Sequence, residues 1–555
     1  MVRSPAPSSA CSPSTRRAWR AQRTSPVSAT PPRGRRRQHC PQPLDYLYRQ
    51  AILAPMYLGI DIGTSVIKAA LFDTDGRQKA EASERMSLLE APLGWSELDG
   101  EATWHTTIRV IRQLLEEAAL DPARIKAIGV TGVMVGAWPL DENDKLLRPP
   151  ILWNDARAQD LVDELLAENP DLISSVFAHS GSVMQLGCTL PVIAWLARHE
   201  PHVLAQARHI LTAKDFIRYR LTGAIATDES EAAMAPGSAV TRDFHPDQAK
   251  HLGIGEYVHL LSPVARGETL AGAVTDDAAE ATGLKPGTPV AIGTGDTSAC
   301  VLGAGAHKPG QAVSVLGTTC LNGVLFDRAM YEPRDLGLLF IVPGRRWMKS
   351  MVNVAGTTVL DWCLEALCPD IASAAAPYER LGALAETSSP GANGVSFVPY
   401  LSASGVIAPR IEPKARASFN GLAPHHTRAD MVRSIYEGLA YAIRDCFEAV
   451  GGVKSSIRLV GGGARSPFWS QMIADVTGAP VEVPEGTQFG AKGAALCAAV
   501  AVGDFASLDE ACDKTFELKH SYVPSPGTRD AYDAGFARFK AGSEAALGGL
   551  RAVAD

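Results

Sequence analysis

A twelve-residue pattern occurs twice in this chain, 254 positions apart. Residues 62–73 read IGTSVIKAALFD and residues 316–327 read LGTTCLNGVLFD. Gly63/Gly317, Thr64/Thr318, Leu71/Leu325, Phe72/Phe326 and Asp73/Asp327 are identical, and Ser65 matches Thr319 conservatively. Each copy sets a glycine and two small hydroxyls between apolar runs, the pattern of a β-hairpin. Glycine lets a backbone come close to a ligand, and the free N–H and hydroxyl groups of such a turn suit phosphate oxygens. Two such turns, one in each half of a 555-residue chain, predict two similar domains that hold one polyphosphate between them.

A chain of this length is too long for one core, and two large domains are the natural division. Hydrophobic residues at 46% and charged residues at 20% match an ordinary water-soluble enzyme. No apolar run reaches the roughly 18 residues needed to cross a bilayer. Residues 1–55 differ from the rest: they hold ten arginines and a single acid, Asp45, whereas the remainder carries a net charge of −16. Their Pro, Ser and Arg content without an apolar face predicts disorder. A transit peptide, a nucleic-acid-binding arm and an upstream stretch translated in error are the three readings. The last is favoured, because Met56-Tyr57-Leu58-Gly59 begins the first strand directly. The ten cysteines include no CxxC pair and no zinc-type Cys/His cluster, which predicts buried free thiols in a reducing compartment.

Apolar runs place strands at 57–60, 66–72, 127–130, 137–140, 290–293, 312–316, 321–326, 347–352 and 457–460. Trp104, Ile108, Ile111, Leu114 and Leu115 fall at helical spacing, as do Met431, Ile435, Leu439, Ala442 and Ile443. Residues 158–260 read as mostly helical, and 358–367 as a helix. Ser466 is a predicted N-cap with Pro467 at the first helical position, for a helix ending near Gly478. Strands alternating with helices predict an α/β fold, with the best boundary between the halves in 303–310.

Three places carry chemistry. Asp61 stands directly before the first turn, suited to hold Mg²⁺ through water, with Thr64 and Ser65 as phosphate donors and Lys68 as a nearby positive charge. Asp296 sits in the strand-end loop Gly293-Thr294-Gly295-Asp296-Thr297. Ligands of open α/β sheets lie at such strand ends, and a carboxylate there can take a proton from a hydroxyl as it attacks a γ-phosphate. Gly461, Gly462 and Gly463 can receive a flat adenine or ribose without side-chain clashes. The P-loop pattern GxxxxGK[ST] is absent. As bland alternatives, Asp61 and Lys68 belong to an ordinary hairpin and Asp296 caps the helix after it.

From Met56 to about residue 545 the chain resembles the FGGY carbohydrate kinases, a branch of the actin-like ATPases. The resemblance rests on DIGTS at 61–65, WSELD at 95–99, ILWNDAR at 151–157, GTGDT at 293–297, LGTT at 316–319 and GGGARSPFWSQMIADVTGAPV at 461–481. ILWNDAR and GGGARSPFW are most similar to the xylulokinase branch. The resemblance implies two actin-like (ribonuclease H-like) domains with a cleft between them: 56–308 for the sugar and catalytic base, 309–555 for the nucleotide. It implies Asp296 as the base, and Asp61, Gly63, Thr64, Ser65 and Lys68 as the first phosphate and metal site, Asp296 sharing the metal. Gly317, Thr318 and Thr319 are then the second phosphate turn, and Gly461, Gly462, Gly463 and Ser466 the adenosine end. Sugar-contacting candidates are Trp95, Glu97, Met134, Val135, Asn154, Asp155 and Asp296. Asn154, Asp155 and Arg157 have an alternative reading, in which they pair among themselves.

One departure stands out. Xylulokinases typically carry Gln-Met-His-Gly where this chain has Val133-Met134-Val135-Gly136, so two polar sugar-contacting types are replaced by valines. Hydroxyl recognition rests on paired hydrogen bonds, so the change bears on the sugar and leaves phosphoryl transfer intact. The expected activity is an ATP- and Mg²⁺-dependent phosphorylation of a terminal ketopentose hydroxyl, D-xylulose to D-xylulose 5-phosphate. L-xylulose, ribulose, erythritol and glycerol are the alternative acceptors. A non-kinase actin-like ATPase and a sugar-sensing module are the readings from other classes. A cytoplasmic enzyme without nucleic-acid or membrane partners is expected; a homodimer is common in the family and stays open here.

Overall fold

The two copies of the repeated pattern are the two central hairpins of two mixed sheets. The computed structural model describes residues 55–554, so the expectations for residues 1–54 lie outside the described residues. In the first sheet, β1 (Met56–Ile62), β2 (Val66–Asp73) and β3 (Gln78–Arg85) are consecutive antiparallel strands. β4 (Ile125–Gly132) then lies parallel beside β1. β5 (Leu270–Ala273) and β6 (Pro289–Ala291) complete the order β3-β2-β1-β4-β6-β5, and the short β7 (Thr294–Gly295) extends alongside β4.

The second sheet repeats this plan. It contains β8 (Ala312–Leu316), β9 (Cys320–Phe326), β10 (Leu338–Val342), β11 (Arg346–Asn353), β12 (Ile457–Val460), β13 (Val481–Pro484) and β14 (Leu518–Tyr522), in the order β10-β11-β9-β8-β12-β13-β14. β8 takes the place of β1, β9 of β2, β11 of β3, β12 of β4 and β13 of β6. In both sheets the central parallel pair, β1/β4 and β8/β12, is flanked on one side by antiparallel ladders. The added strand β10 is the main difference.

Local signals account for the elements that border the cleft. α1 (Gly100–Glu117) starts where Asp99 accepts the Ala102 N–H, and it buries Trp104, Ile111, Leu114 and Leu115 against the first sheet. Each such buried side chain contributes roughly 1.5–3 kcal/mol. A mostly helical segment, 159–260, holds α2 (Ala213–Thr222) and the short α3 (Glu229–Met234) and has its own apolar cluster around Val176, Ile193 and Leu196. Residues expected as a glycine loop at 293–297 divide differently: Thr294-Gly295 pair with β4, and Asp296 opens α4 (Asp296–Gly303). In the second half, α5 (Thr358–Leu367), α6 (Arg428–Ala449) and α7 (Pro467–Thr477) pack on the sheet. α7 has Ser466 as its N-cap, accepting from Trp469 N–H, and stops at Gly478 with φ 69°.

The helix that joins the halves is α8 (Phe489–Ala501), FGAKGAALCAAVA. It comes from the second half yet lies on β1, β4 and α4 of the first. Its small side chains let backbone meet backbone: a β-carbon at Gly59 would stand 1.9 Å from the Ala491 carbonyl oxygen, and one at Gly493 1.9 Å from that of Ala299. α4 returns the contact, Ser298 donating to the Ile341 carbonyl at 2.7 Å. One apolar core therefore spans both halves, from Tyr57, Phe72 and Val301 to Val313, Leu325, Met348 and Leu496. Seven of the eight described cysteines are buried, and all eight are free thiols. No helix among the described residues is long and apolar enough to cross a membrane.

Candidate functional site

The register of the first sheet brings the two predicted carboxylates to one edge. Ile62 of β1 pairs with Gly132 of β4, and Gly132 pairs with Gly295 of β7. Asp61 precedes one end of this row and Asp296 follows the other, so both stand at the carboxyl ends of parallel strands, where open α/β sheets bind ligands. Asp61 faces Lys68 across the β1/β2 ladder. Burial pushes the Asp61 carboxyl up to about 6, and Lys68 offsets part of that. Asp296 is pushed up to about 7, first by burial and then by the charge of Asp61. Its Oδ1 accepts from the Thr297 N–H at 2.6 Å. Burial, and then the charges of Asp61 and Asp296, push the thiol of Cys300, one helical turn further on, up to about 12.

The first turn is shaped by Gly63, whose N–H donates to the Val66 carbonyl at 3.1 Å. A β-carbon at Gly63 would lie 2.8 Å from that carbonyl oxygen. Ser65 is exposed beside it, and Thr64 accepts a hydrogen bond from Trp153 Nε1 at 3.1 Å. Trp153, in the ILWNDAR run, was not among the residues singled out from sequence. The one sequence signal for it is its place in that run, directly before Asn154 and Asp155, and 42% of its surface is accessible.

The second turn repeats the first with a cover. Thr318 and Thr319 are exposed at the turn, and the Gly317 N–H donates to the Thr319 carbonyl at 3.0 Å. The Gly317 and Thr318 carbonyls accept from the N–H groups of Thr357 and Gly356, just before α5. Gly461 follows β12 at the adjoining strand end with φ 95°, and a β-carbon there would stand 2.6 Å from the Leu316 carbonyl oxygen. Gly463 is buried against the Leu316 side chain, whereas a β-carbon at Gly462 would meet nothing within 4 Å. The Ser466 hydroxyl is engaged as the cap of α7.

The halves meet at Asp61. A β-carbon on Gly490, in the first turn of α8, would lie 2.6 Å from Asp61 Oδ2. A carboxylate at a helix N-terminus is favoured by the helix dipole, so the second half supplies part of the environment of the first-half acid.

The sugar-side candidates separate into two groups. Met134 and Val135 lie at the bend after β4, next to the carboxylates: a β-carbon at Gly295 would stand 2.4 Å from Met134 Cγ. Trp95, Glu97 and Asp155 are brought together instead around Arg157. The Arg157 guanidinium lies 3.9 Å from the Trp95 ring centroid and pairs with Asp155 at 2.8 Å and Glu97 at 2.6 Å. Asp155 Oδ2 also takes the Ser96 N–H at 2.6 Å, so both its oxygens are occupied and its side chain is fully buried. The mutual pairing left open in the sequence is therefore formed between Asp155 and Arg157, while Asn154 points outward and is exposed.

Duplicated α/β halves, with hydroxyl turns at matching strand ends and two partly buried carboxylates where the halves meet, define a two-domain phosphotransferase. The N-terminal domain of the FGGY family of carbohydrate kinases matches residues 56–303 and its C-terminal domain residues 312–502. The chain belongs to the FGGY family of carbohydrate kinases, and it is an ATP-dependent carbohydrate kinase. It is 33% identical to the xylulose kinase of Escherichia coli K12, over 86% of this chain and 96% of that enzyme. It is 30% identical to the erythritol kinase of Brucella abortus, over 87% and 95% respectively. Among solved structures, a xylulose kinase from Rhodospirillum rubrum superposes with a TM-score of 0.78 at 28% identity, covering 88% of this chain and 98% of that one. The ligand-bound xylulose kinase from Lactobacillus acidophilus has the same fold, with a TM-score of 0.81 at 23% identity, covering 88% and 98%.

Proposed function

We propose that the protein transfers the γ-phosphoryl group of ATP to a terminal hydroxyl of a ketopentose. The first choice is D-xylulose, giving D-xylulose 5-phosphate and ADP. The observation that carries the reading is Asp296: a strand-end carboxyl beside the bend at Met134, held near 7 by burial and by Asp61. A base whose pKa lies near the working pH combines a useful fraction of its ionised form with real driving force for proton transfer. Asp296 accepts the proton of the acceptor hydroxyl as its oxygen attacks the γ-phosphorus in line, and the β,γ-bridging oxygen leaves with ADP. Residues 56–308 hold the acceptor and the base, and residues 309–555 the nucleotide. Thr64 and Ser65 donate to phosphate from one side, Thr318 and Thr319 from the other, and the open face at Gly462 receives the adenosine end. Closure of the halves about α8 excludes water, which would otherwise compete as acceptor.

The residues present fit Mg²⁺. Asp61 and Asp296 are hard oxygen donors, the charge of Asp61 adds to burial in raising Asp296, and a cation relieves that repulsion. Asp61, with Asp296, would hold it through water, and it would neutralise charge on the transferring phosphates. The reaction is read as cytoplasmic, where ATP is available.

A second acceptor class has specific support. Val133, Met134 and Val135 are all buried apolar side chains at the bend, and relatives of similar identity include enzymes named as erythritol and L-xylulose kinases. The test is ADP release by the full chain against D- and L-xylulose, D- and L-ribulose, erythritol, glycerol and ketohexoses, with Asp296→Asn alongside. The expected result is one strongly preferred ketopentose and no turnover by Asp296→Asn with ATP binding retained. Equal turnover by the variant would remove Asp296 from the mechanism.

A further inference from the structure

Val135 occupies a conformation that its side chain disfavours. Its φ is +57°, in the left-handed region where a β-branched residue is a true outlier. Such strain persists only where the surroundings hold it, and it concentrates at functional sites. The holding group here is Glu231: its Oε2 accepts the Val135 N–H at 2.7 Å. Glu231 is 2% exposed, and its other oxygen, Oε1, is buried with no hydrogen-bond partner among the described residues.

The residue before Glu231 does the same for the opposite wall. Ser230 Oγ accepts the Gly295 N–H at 3.0 Å, directly before Asp296. Ser230 is itself held by Asp228, whose Oδ2 takes the Ser230 hydroxyl at 2.5 Å and whose Oδ1 pairs with the buried Lys214 at 2.8 Å. Two successive residues of α3 thus grip the two backbone segments that border the acceptor side of Asp296. Met134, on the first of those segments, packs its side chain on Gly295 of the second.

We propose that Glu231 is a positioning residue that sets acceptor selectivity: it locks Val135 in the left-handed bend, and the bend fixes Met134 against Gly295 beside Asp296. This rests on the reading that the acceptor lies between the 133–136 bend and Asp296. With valines at 133 and 135, the polar side chains expected there are absent. The shape of the bend, more than side-chain hydrogen bonds from it, then discriminates among acceptors.

The test is steady-state kinetics on the full chain with four variants and the preferred sugar of the panel. Glu231→Ala removes the acceptor of the Val135 N–H. Glu231→Asp keeps a carboxylate near Lys214 but is one methylene too short to reach Val135, which covers the case where Ala fails to fold. Glu231→Gln keeps an acceptor oxygen at full length. Val135→Gly removes the strain that needs holding. The expected result is a sugar KM at least tenfold higher in Glu231→Ala and Glu231→Asp with the ATP KM within twofold, and Glu231→Gln within threefold of the parent. In a Val135→Gly background, adding Glu231→Ala should change the sugar KM less than twofold.

Three outcomes overturn the proposal: an unchanged sugar KM in the Ala and Asp variants, sugar and ATP KM rising together with a lowered melting temperature, or a full Glu231→Ala effect in the Val135→Gly background. If Asp296→Asn turns over normally, the reading of the site fails first. If Asp296→Asn is inactive while the Glu231 variants keep the parent's sugar KM, the proposal alone fails.

Discussion

Gly490 of the second half lies so close to Asp61 of the first that a β-carbon on it would stand 2.6 Å from the carboxylate Oδ2. Those residues are more than four hundred positions apart in the chain, and the contact makes the first-half acid depend on the seating of α8.

Gly490→Ala is therefore expected to displace the Asp61 carboxylate without disturbing the acceptor pocket. A shift of a fraction of an ångström at a phosphate-side group should lower kcat by about tenfold or more. The sugar KM should stay close to the parent value. Full activity in the variant would mean that Asp61 does not need the position it occupies here.

The raised carboxyls make a prediction about stability. The folded-state pKa of Asp296 is about 7 against an ordinary 3.8, so the folded state holds a proton that the unfolded chain has released. The contribution is fully present below about pH 4 and is lost as pH rises through 7. Asp296→Asn carries no such loss. Without nucleotide or metal, it should match the parent near pH 4 and exceed it at pH 8 by on the order of 2–4 kcal/mol. Denaturant titrations at the two pH values check this, and a variant with the same advantage at both would show that Asp296 does not titrate in this window.

The Arg157 cluster predicts a fold effect in place of a binding effect. Arg157→Met leaves the Asp155 carboxylate buried without its partner, a loss of about 3–5 kcal/mol. The double variant Arg157→Met/Asp155→Leu should recover much of it. Sugar KM in the folded fraction should remain that of the parent. A raised sugar KM with stability intact would return Trp95, Glu97 and Asp155 to the acceptor pocket.

The seam between halves is built on backbone contact, so it should be intolerant of one methyl group. Gly493→Ala would place its β-carbon 1.9 Å from the Ala299 carbonyl oxygen, and α4 and α8 would have to separate. The expected cost is on the order of 3 kcal/mol, read as a lowered urea midpoint. An unchanged midpoint would indicate that the helices reseat freely.

Much of this was legible before any coordinates. The matching hairpins at 62–73 and 316–327, the strand at 457–460, the helix at 358–367, and the cap and stop of 467–477 follow from local periodicity and turn chemistry, and the structure has them. The loop expected at 293–297 is partly strand, because Thr294-Gly295 become strand only through pairing with Thr131-Gly132. The place of Trp153 is not legible in the sequence, because its indole N–H gains its partner, Thr64, only through the fold.

The sequence by itself determined the duplication, the α/β class, the two hydroxyl turns and the strand-end acids, since each is written in residues near one another along the chain. Only the tertiary structure decided which acids share a charged edge, that Trp95, Glu97 and Asp155 gather on Arg157, that α8 crosses into the first half, and that Glu231 holds Val135. Those pairings join distant segments, and close packing selects among the many partners that local patterns would allow.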